Sequence, residues 1–259
     1  MSKERNNPDL LERPLGPRSL VLSLLLRTPG QRMPGGRLVQ WCALFDVAGG
    51  ATRVALTRMV EREELRTDDG VYELAGRVGR RRSAQDWSID PKRRAWDGEW
   101  RMAIVLEGAR PAAERSALRD ATRRLRMAEV RAGCWTRPDN LPRASAPDEA
   151  WRVVDAQCAW WTVAPDDSPT AWADDLFGAG EWTTRARRLS AQLRKAGPRT
   201  PLADGFVLAA ASLAHIRNDP LLPPELGPSS EAGDALRAAY RTYESEFSSA
   251  LRAWFRSHE

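Results

Sequence analysis

The sequence predicts an α+β protein, and three features along the chain indicate this class. The first 76 residues combine short amphipathic helices with one β-hairpin. The middle of the chain alternates apolar strands with a helix, and the last third has helical periodicity interrupted by prolines. The expected division is residues 1–76, a basic connector at 77–98, a mixed domain at 99–165 and a helical domain at 166–259.

Composition restricts the compartment and the kinds of site. A chain of 259 residues with 42% apolar content can bury its own cores without covalent cross-links. The three cysteines, Cys42, Cys134 and Cys158, are widely spaced and lack metal-site spacing, which favours buried thiols in a reducing, cytoplasmic setting. No apolar run approaches the roughly 20 residues that a membrane span needs. We therefore expect no cofactor, no metal and no membrane partner.

Positive charge is concentrated in the first third of the chain. Residues 1–95 carry 18 Lys and Arg against 12 Asp and Glu, whereas residues 96–259 carry 22 against 23. A basic N-terminal region on a near-neutral body is typical of a DNA-binding module attached to other domains. An ordinary solvated surface rich in arginine is the alternative explanation.

Three short helices are predicted before residue 62. The first two cover Arg18–Arg27 and Gly36–Val47. The third follows Gly49-Gly50, and four of its residues recur at helical spacing and predict a buried seam: Thr52, Ala55, Leu56 and Met59. Arg53, Thr57 and Arg58 would then face outward together.

A hairpin is predicted directly after the third helix. Asp69-Gly70 is a strong two-residue turn signal, and Val71, Tyr72 and Leu74 have strand propensity. Three short helices followed by a hairpin predict a winged helix-turn-helix.

The outward residues of the third helix fit the chemistry of a recognition helix. Long donors such as Arg53 and Arg58 reach guanine edges and phosphates, and a small hydroxyl such as Thr57 permits close approach. Asp68 and Asp69 at the hairpin tip would be repelled by phosphate, so Arg66 is the hairpin residue expected to touch DNA. Solvation of a surface helix is the alternative role for these arginines.

Three stretches resemble the PaaX family, the GntR-like repressors named for control of phenylacetate degradation. They are "TRVALTRMV" (Thr52–Val60), "WDGEWRMAIV" (Trp96–Val105) and "DPLLPPEL" (Asp219–Leu226), in the family's order and spanning most of the chain. The resemblance places Arg53, Thr57 and Arg58 at the DNA-facing positions of the family's recognition helix. It also implies a ferredoxin-like central domain similar to the Cas2 nuclease scaffold.

The chain departs from the family's pattern at two places. Glu63-Glu64 stands where the family usually has Gly-Trp before the hairpin. Near the C-terminus, Glu231, Ala232 and Gly233 stand where the family usually has Trp-Pro-Gly.

The connector is strongly basic. It holds seven basic residues against two acids between Arg77 and Arg94, including Arg80, Arg81 and Arg82. These three arginines are expected to contact the phosphate backbone. Keeping two domains apart in solution is an equally compatible role for the segment.

Pattern predicts the remaining elements. A buried strand is expected from Trp100, a helix at Arg110–Met127, and further strands at 128–138 and 151–163. Three helical segments follow, at 171–196, 201–219 and 232–257, and the Pro-rich segment at 219–228 is expected to be a shaped turn that packs its leucines. Most of the 11 tryptophans are expected to be core or interface residues.

We expect no enzymatic activity, although two enzyme readings stay as alternatives. A Cas2-like nuclease would bind metal through a carboxylate at the end of the first central strand, where only Glu107 is found. A protein that processes coenzyme A thioesters is the other. His215, on an apolar helix, is expected to be a structural histidine.

The predicted function is a homodimeric transcription repressor. Two winged-helix heads would read a palindromic double-stranded operator, because symmetric half-sites require a two-fold protein. The resemblance further implies a small-molecule effector, such as an aryl- or acyl-CoA thioester, that releases the DNA.

Overall fold

Helices and antiparallel sheets are both present, which confirms the predicted α+β class. The computed structural model describes residues 15–75, 87–106, 108, 110–166, 168–197 and 200–257. Contacts divide these residues into two compact units. Of the described residues, the first unit draws on 15–75, 191–197, 200–213 and 239–257, and the second on 87–106, 108, 110–166, 168–190 and 214–238.

The N-terminal part of the first unit contains the predicted helices and hairpin. In chain order the elements are α1 (Pro17–Arg27), β1 (Arg32–Pro34), α2 (Gly35–Ala43), α3 (Gly49–Glu61), β2 (Leu65–Asp68) and β3 (Val71–Leu74). The strands form an antiparallel sheet in the order β1-β3-β2. Strand β1 was not predicted, because its three residues are too few to show alternation.

An apolar core holds these helices together. Leu20, Leu24 and Leu25 of α1 are fully buried, as are Leu38 and Trp41 of α2. Burying a side chain of this size contributes about 1.5–3 kcal/mol, so this core outweighs any single surface contact in the unit.

The central part of the second unit has the order strand, helix, two strands, helix, strand. The elements are β4 (Trp100–Val105), α4 (Ala112–Arg124), β5 (Ala128–Arg131), β6 (Cys134–Pro138), α5 (Asp148–Gln157) and β7 (Cys158–Val163). All neighbouring strands are antiparallel, in the order β5-β6-β4-β7. Leu118 of α4, Trp135 of β6 and Val154 of α5 share one buried core.

The prediction of strands across 151–163 was wrong for its first half. Helix α5 occupies Asp148–Gln157, and only Cys158–Val163 is a strand. The buried residues of α5 are Ala150, Trp151 and Val154, a spacing of one, three and four that matches a helical face. The β-branched pair Val153-Val154 has strand propensity, but propensity is a weaker signal than this helical period.

The chain continues through four helices: α6 (Pro169–Phe177), α7 (Ala179–Lys195), α8 (Leu202–Arg217) and α9 (Ser229–Arg256). The predicted helical segment at 171–196 is divided because Gly178 adopts a left-handed conformation with φ of 57°. The region predicted as a C-terminal domain contributes residues to both compact units.

The Pro-rich segment before α9 packs its leucines, as predicted. Leu221, Leu222 and Leu226 are all buried. The carbonyl of Leu221 accepts a hydrogen bond of 2.9 Å from the side-chain amide of Asn140, and the buried Arg137 donates to the same amide side chain at 2.7 Å. Burial lowers the pKa of Arg137 to about 9.

A buried ion pair fixes the start of the same segment. The carboxylate of Asp219 lies 2.7 Å from Nη1 of Arg237 on α9, and both side chains are 3% exposed. Asp219 also accepts a hydrogen bond of 2.7 Å from the backbone N–H of Leu221. The chain of contacts ties the segment to both β6 and α9 within the second unit.

Candidate nucleic-acid interface

Helix α3 has one buried side that fixes its orientation. Thr52, Leu56 and Met59 are buried, as the helical spacing predicted, whereas Ala55, the fourth residue of the predicted seam, is only half-buried. The turn before the helix places Asp46 at a positive φ of 59°, and the N–H of Thr52 then donates to the carbonyl of Ala48 at 3.1 Å. The helix therefore begins without a side-chain cap and depends on its apolar seam for its position.

The opposite side of α3 is open to solvent and basic. Arg53, Thr57 and Arg58 are all exposed, together with Val54, which has 51% of its surface exposed. The two guanidinium groups are five positions apart, so they project from successive turns of the helix. This surface, Arg53–Val54–Thr57–Arg58, is here called the α3 face.

The hydroxyl of Thr57 is partly engaged within the helix. It donates a hydrogen bond of 3.2 Å to the carbonyl of Arg53, four residues earlier. The Thr57 side chain therefore offers its methyl group and an acceptor oxygen to a ligand, and its donor is already used. A methyl group at this position suits apolar contact with thymine more than donation to a base.

The end of α3 is closed by a left-handed residue. Glu63 has a φ of 55°, and its N–H donates to the carbonyl of Val60 at 2.9 Å. The N–H of Glu64 reaches back to the carbonyl of Met59, also at 2.9 Å. This pair of bonds is the Schellman arrangement, which normally has glycine at the left-handed position.

Glu64 also anchors the helix end to α1. Its carboxylate accepts hydrogen bonds of 2.7 Å from both Nε and Nη2 of Arg18. The pairing raises the pKa of Arg18, and the hydrogen bond that Arg18 donates to Glu64 is the main cause. Glu63 and Glu64 thus give α3 a defined end, although the PaaX pattern usually has glycine and tryptophan at these positions.

The hairpin turn is held against α2. Asp69 and Gly70 both have positive φ, 44° and 70°, as expected for a tight two-residue turn. The carbonyl of Gly70 accepts a hydrogen bond of 2.9 Å from the N–H of Gly35. A Cβ at Gly35 would lie 2.9 Å from the ring of Tyr72, so glycine is needed there for this approach.

Arg66 is exposed on the hairpin but shares its surface with an acid. The register places Glu73 opposite Arg66 on one side and opposite Arg32 on the other. All three side chains are exposed. The basic charge of the hairpin is therefore partly offset, and Arg32, which was not predicted, contributes as much to it as Arg66.

The connector arginines divide into two groups. Arg80, Arg81 and Arg82 lie outside the described residues, so their expected role stays a prediction. Arg93 pairs with Asp234, and Nη2 of Arg94 lies 2.5 Å from the carboxylate of Asp139. The last two are engaged by carboxylates of the second unit and add little to a phosphate-binding surface.

Comparison with solved structures identifies a relative over nearly the whole chain. The uncharacterized protein Rv0674 from Mycobacterium tuberculosis shares 36% sequence identity with a TM-score of 0.69. The match covers 92% of this chain and 98% of that chain. The chain belongs to the Rv0674 family. No protein-family model and no curated protein matches it.

This member of the Rv0674 family has a buried structural histidine, as predicted. The ring of His215 stacks on Trp182 with 4.6 Å between centroids, and its Nε2 lies 2.9 Å from the Trp182 carbonyl. Burial is the main cause of the lowered pKa of His215. A neutral ring that is committed to a backbone carbonyl serves packing in this family member.

The structure describes only some of the residues on which an enzymatic activity would depend. Glu107 lies outside the described residues, and the described part of the chain holds no group of three or more His, Cys, Asp or Glu placed to bind a metal ion. The three cysteines are free and buried, as predicted, and burial raises the pKa of each thiol. Across those same described residues, no helix has the length and apolarity to cross a bilayer.

Tryptophans of this Rv0674-family chain are largely core residues. Trp41 and Trp100 are fully buried, and Trp135, Trp151 and Trp182 nearly so. Trp161 on β7 has 56% of its surface exposed. The remaining tryptophans are half-buried: Trp87, Trp96, Trp160, Trp172 and Trp254. The expectation of core and interface roles is confirmed for the buried set.

Proposed function

We propose that the chain is a sequence-specific DNA-binding transcription regulator, acting as a homodimeric repressor. The observation that carries the proposal is the α3 face. Its two guanidinium groups and one threonine are exposed on a helix whose other side is buried. Arginines on an open helix face can reach guanine edges in the major groove, each with about 1–3 kcal/mol of discrimination.

The element order around α3 supports a winged helix-turn-helix. A short strand between the first two helices pairs with the hairpin that follows the third, in the order β1-β3-β2. In this arrangement α3 is the recognition helix and the β2–β3 hairpin is the wing. The resemblance of Thr52–Val60 to the PaaX family points to the same helix.

The central sheet supports a ferredoxin-like domain used as a scaffold. Its order β5-β6-β4-β7, with both helices on one side, is the split βαβ pattern that the family resemblance implies. As a scaffold, this domain would form dimer contacts and would not catalyse a reaction.

The proposed effector is a small molecule of the aryl- or acyl-CoA thioester class. The support for it is the resemblance to the PaaX family alone. Adding such thioesters to a preformed protein–DNA complex should lower its affinity, since an effector acts through its different affinity for the DNA-bound and released states.

Selection from a random duplex library tests DNA recognition directly. The regulator is expected to enrich a palindromic motif, with half-sites about 10 base pairs apart or a multiple of that. Affinity for the enriched duplex should fall steeply between 50 and 200 mM salt, because bound phosphates release counterions. An Arg119→Ala variant, altered at an exposed arginine of α4, serves as the matched control and should bind as the wild type does.

Two results would contradict the proposal. One is the absence of any enriched motif together with salt-independent binding. The other is cleavage of the duplex in magnesium that disappears in Glu107→Ala, which would support the nuclease alternative.

A further inference from the structure

Strand β7 lies at one edge of the central sheet and has β4 as its neighbour on the other side. The register settles which of its backbone groups face that edge. The N–H of Leu106 donates to the carbonyl of Gln157 at 3.2 Å, which makes 106 and 157 a hydrogen-bonded pair. In an antiparallel ladder such pairs alternate, so Ala159, Trp161 and Val163 bond to β4. The N–H and C=O groups of Trp160 and Thr162 therefore point outward.

This outward edge lacks the devices that usually protect an edge strand. Natural edges carry prolines, lysines or bulges that discourage pairing with another chain. The strand Cys158–Val163 contains no proline and no charged side chain, and its pairing with β4 is regular over all six residues. The strand itself therefore adds no charge to the edge, and the nearest cation in the register is Arg101 of β4, opposite Thr162.

The opposite edge of the same sheet is protected. Strand β5 has a register irregularity between Glu129 and Arg131, and both of these residues are charged and exposed. Helix α6 also contacts β5. A bulge bends and twists its strand and so disfavours straight pairing. Only the β7 edge is left available among the described strands of this sheet.

We propose that two copies of the chain pair through antiparallel β7 strands about a two-fold axis at Trp161. The proposal rests on the proposed function and deepens it, because a protein that binds a symmetric operator needs a two-fold axis. It identifies the strand that forms the interface at this axis. With Trp161 opposite its own copy, Trp160 of each chain exchanges both backbone hydrogen bonds with Thr162 of the other. The edge is self-complementary, as a two-fold interface requires.

This register places the exposed indole where it gains most. Trp161 would occupy a pair without direct hydrogen bonds, where opposing Cα atoms lie about 4.5 Å apart and side chains are closest. Aromatic pairs across strands contribute stability beyond that of their buried area. Met102, opposite Trp161 in the β4 register, flanks the ring on the same face.

The size of the contact sets its strength. Two half-exposed indoles and a short ladder bury less than the roughly 1,200 Å² at which stable standard interfaces begin. The dimer should therefore be weak and reversible, dissociating on dilution through the micromolar range. Paired half-sites would favour it by holding two copies together on DNA.

Substitution of the edge residue with proline tests the pairing in the full chain. Thr162→Pro removes an outward N–H that does not bond to β4, whereas the matched control Thr162→Ala keeps it. Sedimentation velocity should show a concentration-dependent dimer for the wild type and Thr162→Ala, and at least a tenfold weaker one for Thr162→Pro. A wild type that stays monomeric at high micromolar concentration, or a Thr162→Pro variant that dimerises equally well, would overturn the proposal.

A cross-link provides a second measurement if the proline variant folds poorly. Trp161→Cys puts two thiols on the axis at a Cα distance that a disulfide accepts, about 4.4–6.8 Å. Mild oxidation should yield a covalent dimer, and Val130→Cys on the opposite edge should not. Binding to a duplex with a single half-site separates this proposal from the proposed function. Thr162→Pro should still bind the half-site, because a monomer can do so. Arg53→Ala should lose half-site binding but dimerise as the wild type does.

Discussion

Arg18 and Glu64 join the first helix to the start of the hairpin through two hydrogen bonds of 2.7 Å in a side-by-side geometry. The pair is partly exposed, with side-chain exposures of 43% and 21%. It holds the segment that follows α3 against α1. The orientation of the proposed recognition helix relative to its hairpin therefore depends partly on this pair.

Breaking the pair should cost little stability. Arg18→Ala is expected to lower the free energy of unfolding by about 0.5–1 kcal/mol, because a partly exposed ion pair is screened by solvent. Thermal unfolding of Arg18→Ala, Glu64→Ala and the double variant measures the coupling. Fully additive losses would show that the two side chains do not interact in solution.

Glycine at the end of α3 should stabilise the protein. Glu63 holds a left-handed conformation that costs an ordinary residue about 1–2 kcal/mol, and glycine avoids this cost. Part of the gain is offset because glycine gives the unfolded chain more conformational freedom. Glu63→Gly should therefore raise the free energy of unfolding by about 0.5–1 kcal/mol in denaturant titration. Glu63→Ala keeps the strain and serves as the control, so an equal gain in that variant would contradict the explanation.

Gly233 should not tolerate a side chain. A Cβ there would lie 2.5 Å from the Asp219 carboxylate and 2.8 Å from Nη1 of Arg237. Gly233→Ala should disrupt the buried ion pair and lower the free energy of unfolding by about 3 kcal/mol or more. Gly36→Ala, where a Cβ meets nothing within 4 Å, should change it by less than about 0.5 kcal/mol.

Stability should fall as the pH drops through the titration of His215. Burial lowers the folded-state pKa of this ring below the ordinary value of 6.5, so the unfolded chain binds the proton more readily. The contribution is complete above about pH 7 and is lost progressively as the pH falls below about 6.5. Unfolding of wild type and His215→Gln between pH 5 and 8 measures it. The difference between the two should depend on pH, and a constant difference would contradict the assignment.

Local patterns were sufficient to predict the elements that have a strong period or a distinct turn. The seam of α3 and the Asp69-Gly70 turn are of this kind. Contacts between distant residues, such as Arg18 with Glu64, leave no signal in a single sequence because they depend on the final packing. The αL residue Glu63 was unforeseen for a related reason: it is a poor choice for its conformation, and surrounding contacts override its preference.

The candidate site was predictable as a face but not in its details. The spacing of Thr52, Leu56 and Met59 determined which side of α3 would be open. The internal hydrogen bond of Thr57 and the acid beside Arg66 come from the helix ladder and the strand register, which the residue types alone do not specify. Arg93 and Arg94 added to the apparent positive charge of the connector, yet their carboxylate partners lie far away in the chain.

The affinity of the α3-face variants for the selected duplex tests the central claim most directly. Arg53→Ala and Arg58→Ala are measured beside Arg119→Ala by fluorescence anisotropy at fixed salt. Losses of about 10-fold or more for each of the first two, with the control unchanged, are expected if these guanidinium groups contact bases. Wild-type affinity in both α3 variants would contradict the account.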